Sequence, residues 1–319
     1  MRLWGRSNQA KSADQPGVAV LGLGGAGSNM VSWLKQKGVR GGRLVAVNTD
    51  AAHLSITMAD SKILIGHRLT YGRGAGGDPK VGARAACESL PELKREVAGS
   101  KVVFLCAGLG GGTGMGASTA LAERLRREGT LIVGVVTLPF AREWSRLDAS
   151  RLGLDMLRER CDTVVVLDNS RFSLPDGGPH QAAVVNELAG LVIKGLVEAS
   201  PGGLDPLRMK GLASVGMGEG PKVGDAVLSA LRSAVGRGPK GAMLLLRAGN
   251  PVSPEDVDAA RNSVAGSLPE GAAVSVCAAA DPTLDGRAQA ILIKTGIEDA
   301  FFAEAYAEVR PRRRLPSTV

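Results

Sequence analysis

Short apolar runs alternate along the chain with stretches whose apolar residues recur every three or four positions. These are the signatures of buried strands and of helices lying on them. Residues 18–21, 44–47, 102–105, 131–136 and 163–167 are runs dominated by Val, Leu and Ile, each suited to a strand covered on both faces, and 63–65 is a shorter one. Between them, 28–37 carries Met30, Val31, Trp33 and Leu34 at helical spacing. Asn48-Thr49-Asp50 is an N-cap set for a helix starting near Ala51, and further helices are predicted over 81–97, through Leu121 and Leu125, and over 146–160. This strand–loop–helix series predicts an α/β fold, a parallel sheet wound with helices on both faces.

The pattern changes after residue 180. Residues 180–198 form a long helix, apolar around much of its circumference (Ala182, Val184, Val185, Leu188, Leu191, Val192, Leu196), which predicts burial between two bodies. A second body follows Pro201-Gly202-Gly203, with strands over 243–246, 272–278 and 290–293 and helices over 222–235 and 254–267. Residues 1–16 are a polar, flexible lead-in without the apolar core of a secretory signal, and 310–319 a basic, proline-broken tail. The expected division is a nucleotide domain at 17–179, a central helix at 180–199, a smaller α/β domain at 200–297, and a C-terminal helix with basic tail at 298–319. No internal repeat is seen.

Composition narrows the chemistry. At 319 residues and 44% apolar, the chain suits two ordinary domains. A net charge of +8 biases the surface toward anions (nucleotides, nucleic acid, acidic lipid) without choosing among them, and no nucleic-acid motif is present. Cys87, Cys106, Cys161 and Cys277 lie far apart without paired spacing, against a disulfide scaffold or metal knuckle and in keeping with a reducing cytosol. His53, His67 and His180 are scattered, which argues against a histidine metal site. No apolar stretch reaches the roughly 18 residues of a membrane span.

The 44 glycines have no collagen-like period and gather in turns. The richest loop, Cys106 to Gly116, holds Gly110, Gly111, Gly112, Gly114 and Gly116 between a predicted strand and a predicted helix. Unshielded backbone N–H groups at a helix N-terminus make a phosphate cradle, although a glycine run also serves as a plain loop. Gly22, Gly24 and Gly27 match Gly-x-Gly-x-x-Gly, which alone suggests a dinucleotide site and leaves an oxidoreductase as an alternative. Against that stand the Asn48-Thr49-Asp50 ending of the second strand and the stronger loop at 110–116. Without a Gly-Lys-Ser/Thr triplet, two such cradles predict a nucleoside triphosphate wrapped by several strand ends.

Gly22-Leu-Gly-Gly-Ala-Gly-Ser-Asn29, Asn48-Thr-Asp50, Gly72-Arg-Gly-Ala-Gly-Gly-Asp-Pro79, Gly110-Gly-Gly-Thr-Gly-Met-Gly116 and Val135-Val-Thr-Leu-Pro-Phe140 occur in the order and spacing of one family. They resemble the tubulin/FtsZ superfamily, most closely archaeal FtsZ, over roughly residues 17–297, with Met115 where FtsZ usually has threonine. The resemblance implies a Rossmann-like GTPase domain, a long central helix, a smaller activation domain, and head-to-tail polymerisation in cell division or cell shape. It implies GTP or GDP as ligand, with Mg2+ accompanying the nucleotide.

By the same resemblance the GTP site comprises Gly24, Gly25, Ala26 and Asn29, then Asn48 and Asp50, Ala75 and Gly76, Gly110, Gly111, Gly112, Thr113 and Gly114, and Pro139. Glu143 and Arg146 resemble the family's ribose- and guanine-side pair but stand three apart rather than four, and a surface ion pair is the alternative. Asn169 resembles a guanine-contacting asparagine, and a plain turn is the alternative. On the central helix, Asn186 replaces the guanine-reading aspartate, as in tubulins, and an amide still pairs with guanine. Ala182 replaces a stacking aromatic, a loss of about 1–3 kcal/mol by analogy with nucleic-acid bases, with His180 and Gln181 nearby to compensate.

The largest departure from the family is the loop that enters the neighbouring subunit's GTP site. It reads Gly203-Leu204-Asp205-Pro206-Leu207-Arg208: Asp205 keeps the first carboxylate, Gly203 replaces an asparagine and Arg208 replaces the second carboxylate. Losing a water-orienting carboxylate predicts slow hydrolysis, since acid–base assistance contributes typically 10²–10⁴-fold. Arg208 acting as an arginine finger in trans is the opposing reading. The expected protein is therefore a cytoplasmic GTP-binding filament former at the division site, assembling with itself or with a second FtsZ. The alternative is a non-polymerising scaffold or regulator. The Arg310, Arg312, Arg313 and Arg314 cluster predicts a membrane adaptor or acidic lipid as a further partner, with a solvated tail as the alternative.

Overall fold

The computed structural model describes residues 17–126, 129–140, 143, 146–169, 181–199 and 201–298, with only the backbone of 181, 182, 201 and 202. Ten strands form one sheet in the order β3-β2-β1-β4-β5-β6-β7-β10-β8-β9. The first six are β1 (Val18–Leu23), β2 (Gly42–Asn48), β3 (Ser61–Leu64), β4 (Val102–Gly108), β5 (Leu131–Leu138) and β6 (Thr163–Asp168). All pair in parallel. In β4 and β5 every residue but Gly108 is buried, as both-face coverage demands.

On one face, Val103, Leu105 and Ala107 of β4 meet a layer that includes Ala85, Leu93, Leu121, Leu154 and Leu157. These side chains come from α4 (Pro79–Glu88), α5 (Leu90–Glu96), α6 (Gly112–Arg124) and α7 (Leu147–Arg160). On the other face, Val102, Phe104 and Cys106 meet Met30 and Leu34 of α1 (Gly24–Lys37) and Leu188, Val192 and Leu196 of α8 (Gln181–Glu198). Burial pushes the Cys106 thiol far up and that of Cys161 up to about 12, so both are packing groups rather than nucleophiles.

The remaining strands are β7 (Gly211–Gly220), β8 (Gly241–Ala248), β9 (Ala273–Ala280) and β10 (Ala288–Ile297). β7 continues the sheet in parallel with β6, β10 runs antiparallel to both β7 and β8, and β9 is parallel to β8. Helices α9 (Val223–Ser233) and α10 (Pro254–Ala265) cover one face of this mixed half. A 3-10 helix, Pro201–Arg208, links α8 to β7.

Four details depart from the pattern-based expectation. The turn expected at 22–27 does not exist as such: β1 runs to Leu23 and α1 begins at Gly24, whose φ of +68° makes the corner in one residue. The helix expected over 81–97 is two, broken at Ser89 because Pro91 opens α5. Two short helices also precede α4, namely the expected α2 (Ala51–Ile56) and the unexpected α3 (His67–Thr70). Finally, β7 has no counterpart in the sequence reading, because Gly216, Gly218 and Gly220 give it the look of a loop.

Candidate nucleotide site

The strand order reverses at β1, with β2 on one side and β4 on the other, and the crevice at such a point is where open α/β sheets bind ligands. Two helices begin there from adjacent strand ends and on opposite faces: α1 after β1 and α6 after β4. Neither N-terminus is capped by a side chain among the described residues. Asp50, Asp78 and Ser253 cap α2, α4 and α10, while α3, α5, α7 and α9 share the lack of a side-chain cap. The first N–H groups of α1 and α6 therefore remain unused donors, reinforced by two helix dipoles.

The two N-termini touch, since a Cβ on Gly24 would lie 2.8 Å from Gly114 N. The Thr113 hydroxyl is 2.7 Å from that of Thr49 at the end of β2. The third loop is tied in by backbone bonds from Gly74 N to Thr49 O (3.1 Å) and from Ala51 N to Gly72 O (2.9 Å). It lies against α6, where a Cβ on Gly112 would stand 2.6 Å from Asp78 N. Asn48 is buried, and its Oδ1 accepts from Asp50 N at 3.3 Å. The Asp50 carboxylate accepts from His53 N at 2.9 Å. Ala75 is buried while Gly76 is open, with no described residue within 4 Å of its missing Cβ. A Cβ on Gly77 or on Gly111 would likewise meet no described residue within 4 Å.

The fourth side of the crevice is the end of β5. Gly110 faces Pro139 and Arg146, with a hypothetical Cβ 3.5 Å from the proline ring and 3.4 Å from Arg146 Cδ. Glu143 and Arg146 form an ion pair of 2.7 Å, and the other Glu143 oxygen accepts from Phe140 N. The surface-pair geometry is thus real, and it stands at the rim of the crevice. Ser150 on α7 donates to Leu109 O at 3.0 Å and fixes this wall. Asn169, just beyond β6, buries an Oδ1 that has no partner among the described residues. Asn29 is exposed on α1 and Asn186 half-buried on α8. The Ala182 side chain, His180 and the basic tail lie outside the described residues.

Uncapped donors, open glycine faces and an orphaned amide oxygen at the far strand end together suit a phosphate chain with a polar base. Among the described residues no group of three or more His, Cys, Asp or Glu could hold a metal. Asp205 and Arg208 are not part of the crevice. The 3-10 helix that carries them precedes β7, whose first residue Gly211 pairs with Thr163, the first residue of β6. They therefore lie toward the amino ends of the parallel strands, across the sheet from the glycine loops. Both are exposed and they pair at 3.7 Å. Thr49, Gly77 and His53 are crevice residues that sequence reasoning missed. Thr49 and Gly77 lay within the Asn48–Asp50 and Gly72–Pro79 motifs without being singled out, and His53 is a titratable side chain three residues after Asp50.

A family model described as "Tubulin/FtsZ family, GTPase domain" matches residues 17–173. Cell division protein FtsZ 1 of Methanocaldococcus jannaschii is 37% identical over 302 residues, 88% of this chain and 83% of that protein. Cell division protein FtsZ of Haloferax mediterranei is 36% identical over 305 residues, 89% and 81% of the two. An empty FtsZ dimer from M. jannaschii has a TM-score of 0.84 at 35% identity, covering 89% of either chain. The GTPγS-bound protofilament of CetZ2 from Haloferax volcanii shares the fold, with a TM-score of 0.75 at 24% identity over 91% of this chain and 96% of that one. The chain belongs to the tubulin/FtsZ family of cytoskeletal GTPases. The matched GTPase domain contains the whole glycine-loop crevice.

Proposed function

We propose that this protein binds GTP in the crevice between α1 and α6, assembles head to tail, and hydrolyses GTP slowly when alone. One observation carries the proposal. The sole carboxylate of the 3-10 helix, Asp205, is paired with Arg208 and sits across the sheet from the cradle of its own chain. A copy cannot present Asp205 to its own nucleotide, whereas a second copy stacked amino edge on carboxyl edge can. What it then presents is a single carboxylate, with an arginine where the family's second water-orienting carboxylate would stand.

The division follows: residues 17–179 hold the nucleotide, 180–199 link, and 200–297 present the loop. Mg2+ would arrive with the triphosphate. A second FtsZ fits as co-assembly partner, because an intact loop from it would serve this chain's nucleotide. The place of action is then the cytoplasm at the division site.

The test is GTP turnover and GTP-dependent sedimentation of the pure protein. Sedimentation with turnover at least tenfold below that of an FtsZ with an intact loop is expected, and Arg208→Asp is expected to raise turnover in the polymer. Fast turnover by the wild type, or a lower rate for Arg208→Asp, would overturn the proposal. The second result would instead make Arg208 a trans-acting finger.

A further inference from the structure

His53 is a side chain that neither the fold nor the family motifs account for. Its backbone is fixed, because the Asp50 carboxylate accepts from His53 N at 2.9 Å and so caps α2. Its ring is aimed over the first turn of α1. The atom nearest to a hypothetical Cβ on Gly25 is His53 Nε2, at 3.9 Å. Gly25 is one of the first residues of a helix whose N-terminus has no side-chain cap. The other ring nitrogen, Nδ1, is buried and has no hydrogen-bond partner among the described residues.

That last fact decides which nitrogen carries the proton in the neutral ring. An orphaned buried N–H is costlier than an orphaned lone pair, so Nδ1 is the bare nitrogen and Nε2 the N–H. The donor therefore faces the open side of the cradle, beside backbone N–H groups that already favour an anion.

Resting on the reading of the crevice as a GTP site, we propose that His53 Nε2 donates a hydrogen bond to a phosphate oxygen of the bound nucleotide. It adds an imidazole N–H to the backbone donors of the first turn of α1, and it acts as a binding residue.

GTP and GDP affinities of the full-length protein test this, measured for wild type, His53→Ala and His53→Gln. A lost hydrogen bond to a charged group should weaken binding of His53→Ala about tenfold or more, while His53→Gln, which keeps an N–H near the same place, should stay within about threefold. The ¹⁵N resonance of His53 Nε2 in the wild type should move on GTP addition, with Nδ1 moving less. Wild-type affinity in His53→Ala, equal losses in both variants, or a static Nε2 resonance in GTP-saturated protein would each overturn the contact. Should His53→Ala fail to fold, the resonance decides. A wild type that binds neither nucleotide would instead overturn the GTP reading itself.

Discussion

At Gly116 a Cβ would stand 2.0 Å from the Pro79 carbonyl oxygen, and at Gly82 2.3 Å from that of Gly112. At Gly111 it would meet no described residue within 4 Å. The first two are glycines because α4 and α6 pack backbone to backbone, whereas the third is the N-cap of α6, where no described neighbour excludes a side chain. The backbone at Gly111, φ −114° and ψ 152°, suits any residue. Gly111→Val should therefore keep the wild-type melting temperature and lose GTP affinity at least tenfold. Gly116→Val should unfold more easily by about 1–3 kcal/mol or more, as overpacking does. Thermal melts and nucleotide titrations of the two variants separate the roles. The glycine loops were legible in the sequence because each follows an apolar run, but their sorting was not. It depends on α4 lying on α6, a contact that no local pattern encodes.

Among the elements, α8 shows how small residues let a helix sit between others. Gly190 receives the Trp33 ring of α1, a Cβ there lying 2.3 Å from the ring, and Gly195 receives Leu245 of β8 at 2.4 Å. The aliphatic tip can swing aside and the indole cannot. Gly190→Ala should cost about 1–3 kcal/mol by urea unfolding despite the better helix propensity of alanine. Combined with Trp33→Leu the two effects should be less than additive, as for residues in contact. The helix itself was legible from its apolar circumference. Strand β7 was not, for a related reason: Cβ atoms on Gly216 and Gly218 would stand 2.3 and 2.1 Å from carbonyl oxygens of α9. The glycines that make it look like a loop are those that let α9 lie on it.

Taken whole, the sheet runs without a break from β3 to β9, and its far half is held at one end by polar groups. Arg247 on β8 bonds Gln289 on β10 and Asp281 beyond β9, and Gln289 donates to Glu219 on β7. Burial works against the Asp281 carboxylate, but hydrogen bonds from Thr283 and the Arg247 guanidinium outweigh it and hold the group below its ordinary range. A carboxyl so lowered stabilises the fold above its unfolded value and loses that contribution as pH falls through the lower folded one. Asp281→Asn should thus be less stable than wild type at pH 7, and the gap in denaturation midpoint should close below about pH 4. Urea titrations of both proteins across that range are the check. The overall α/β plan was legible because strand and helix periods alternate, whereas the single continuous sheet arises from the β6–β7 pairing, which is non-local.

The unlike chemistry of the two sheet edges has a consequence for any assembly that seats one upon the other. Such a contact is heterologous: no two-fold axis relates the partners, and an open stack of any length retains one bare edge of each kind. Its ends are inequivalent. Every interior crevice is roofed by the next copy, and only the terminal copy at one end leaves its crevice open. Ligand exchange would then be confined to that last position, so the age of a nucleotide would be written into its distance from a single tip.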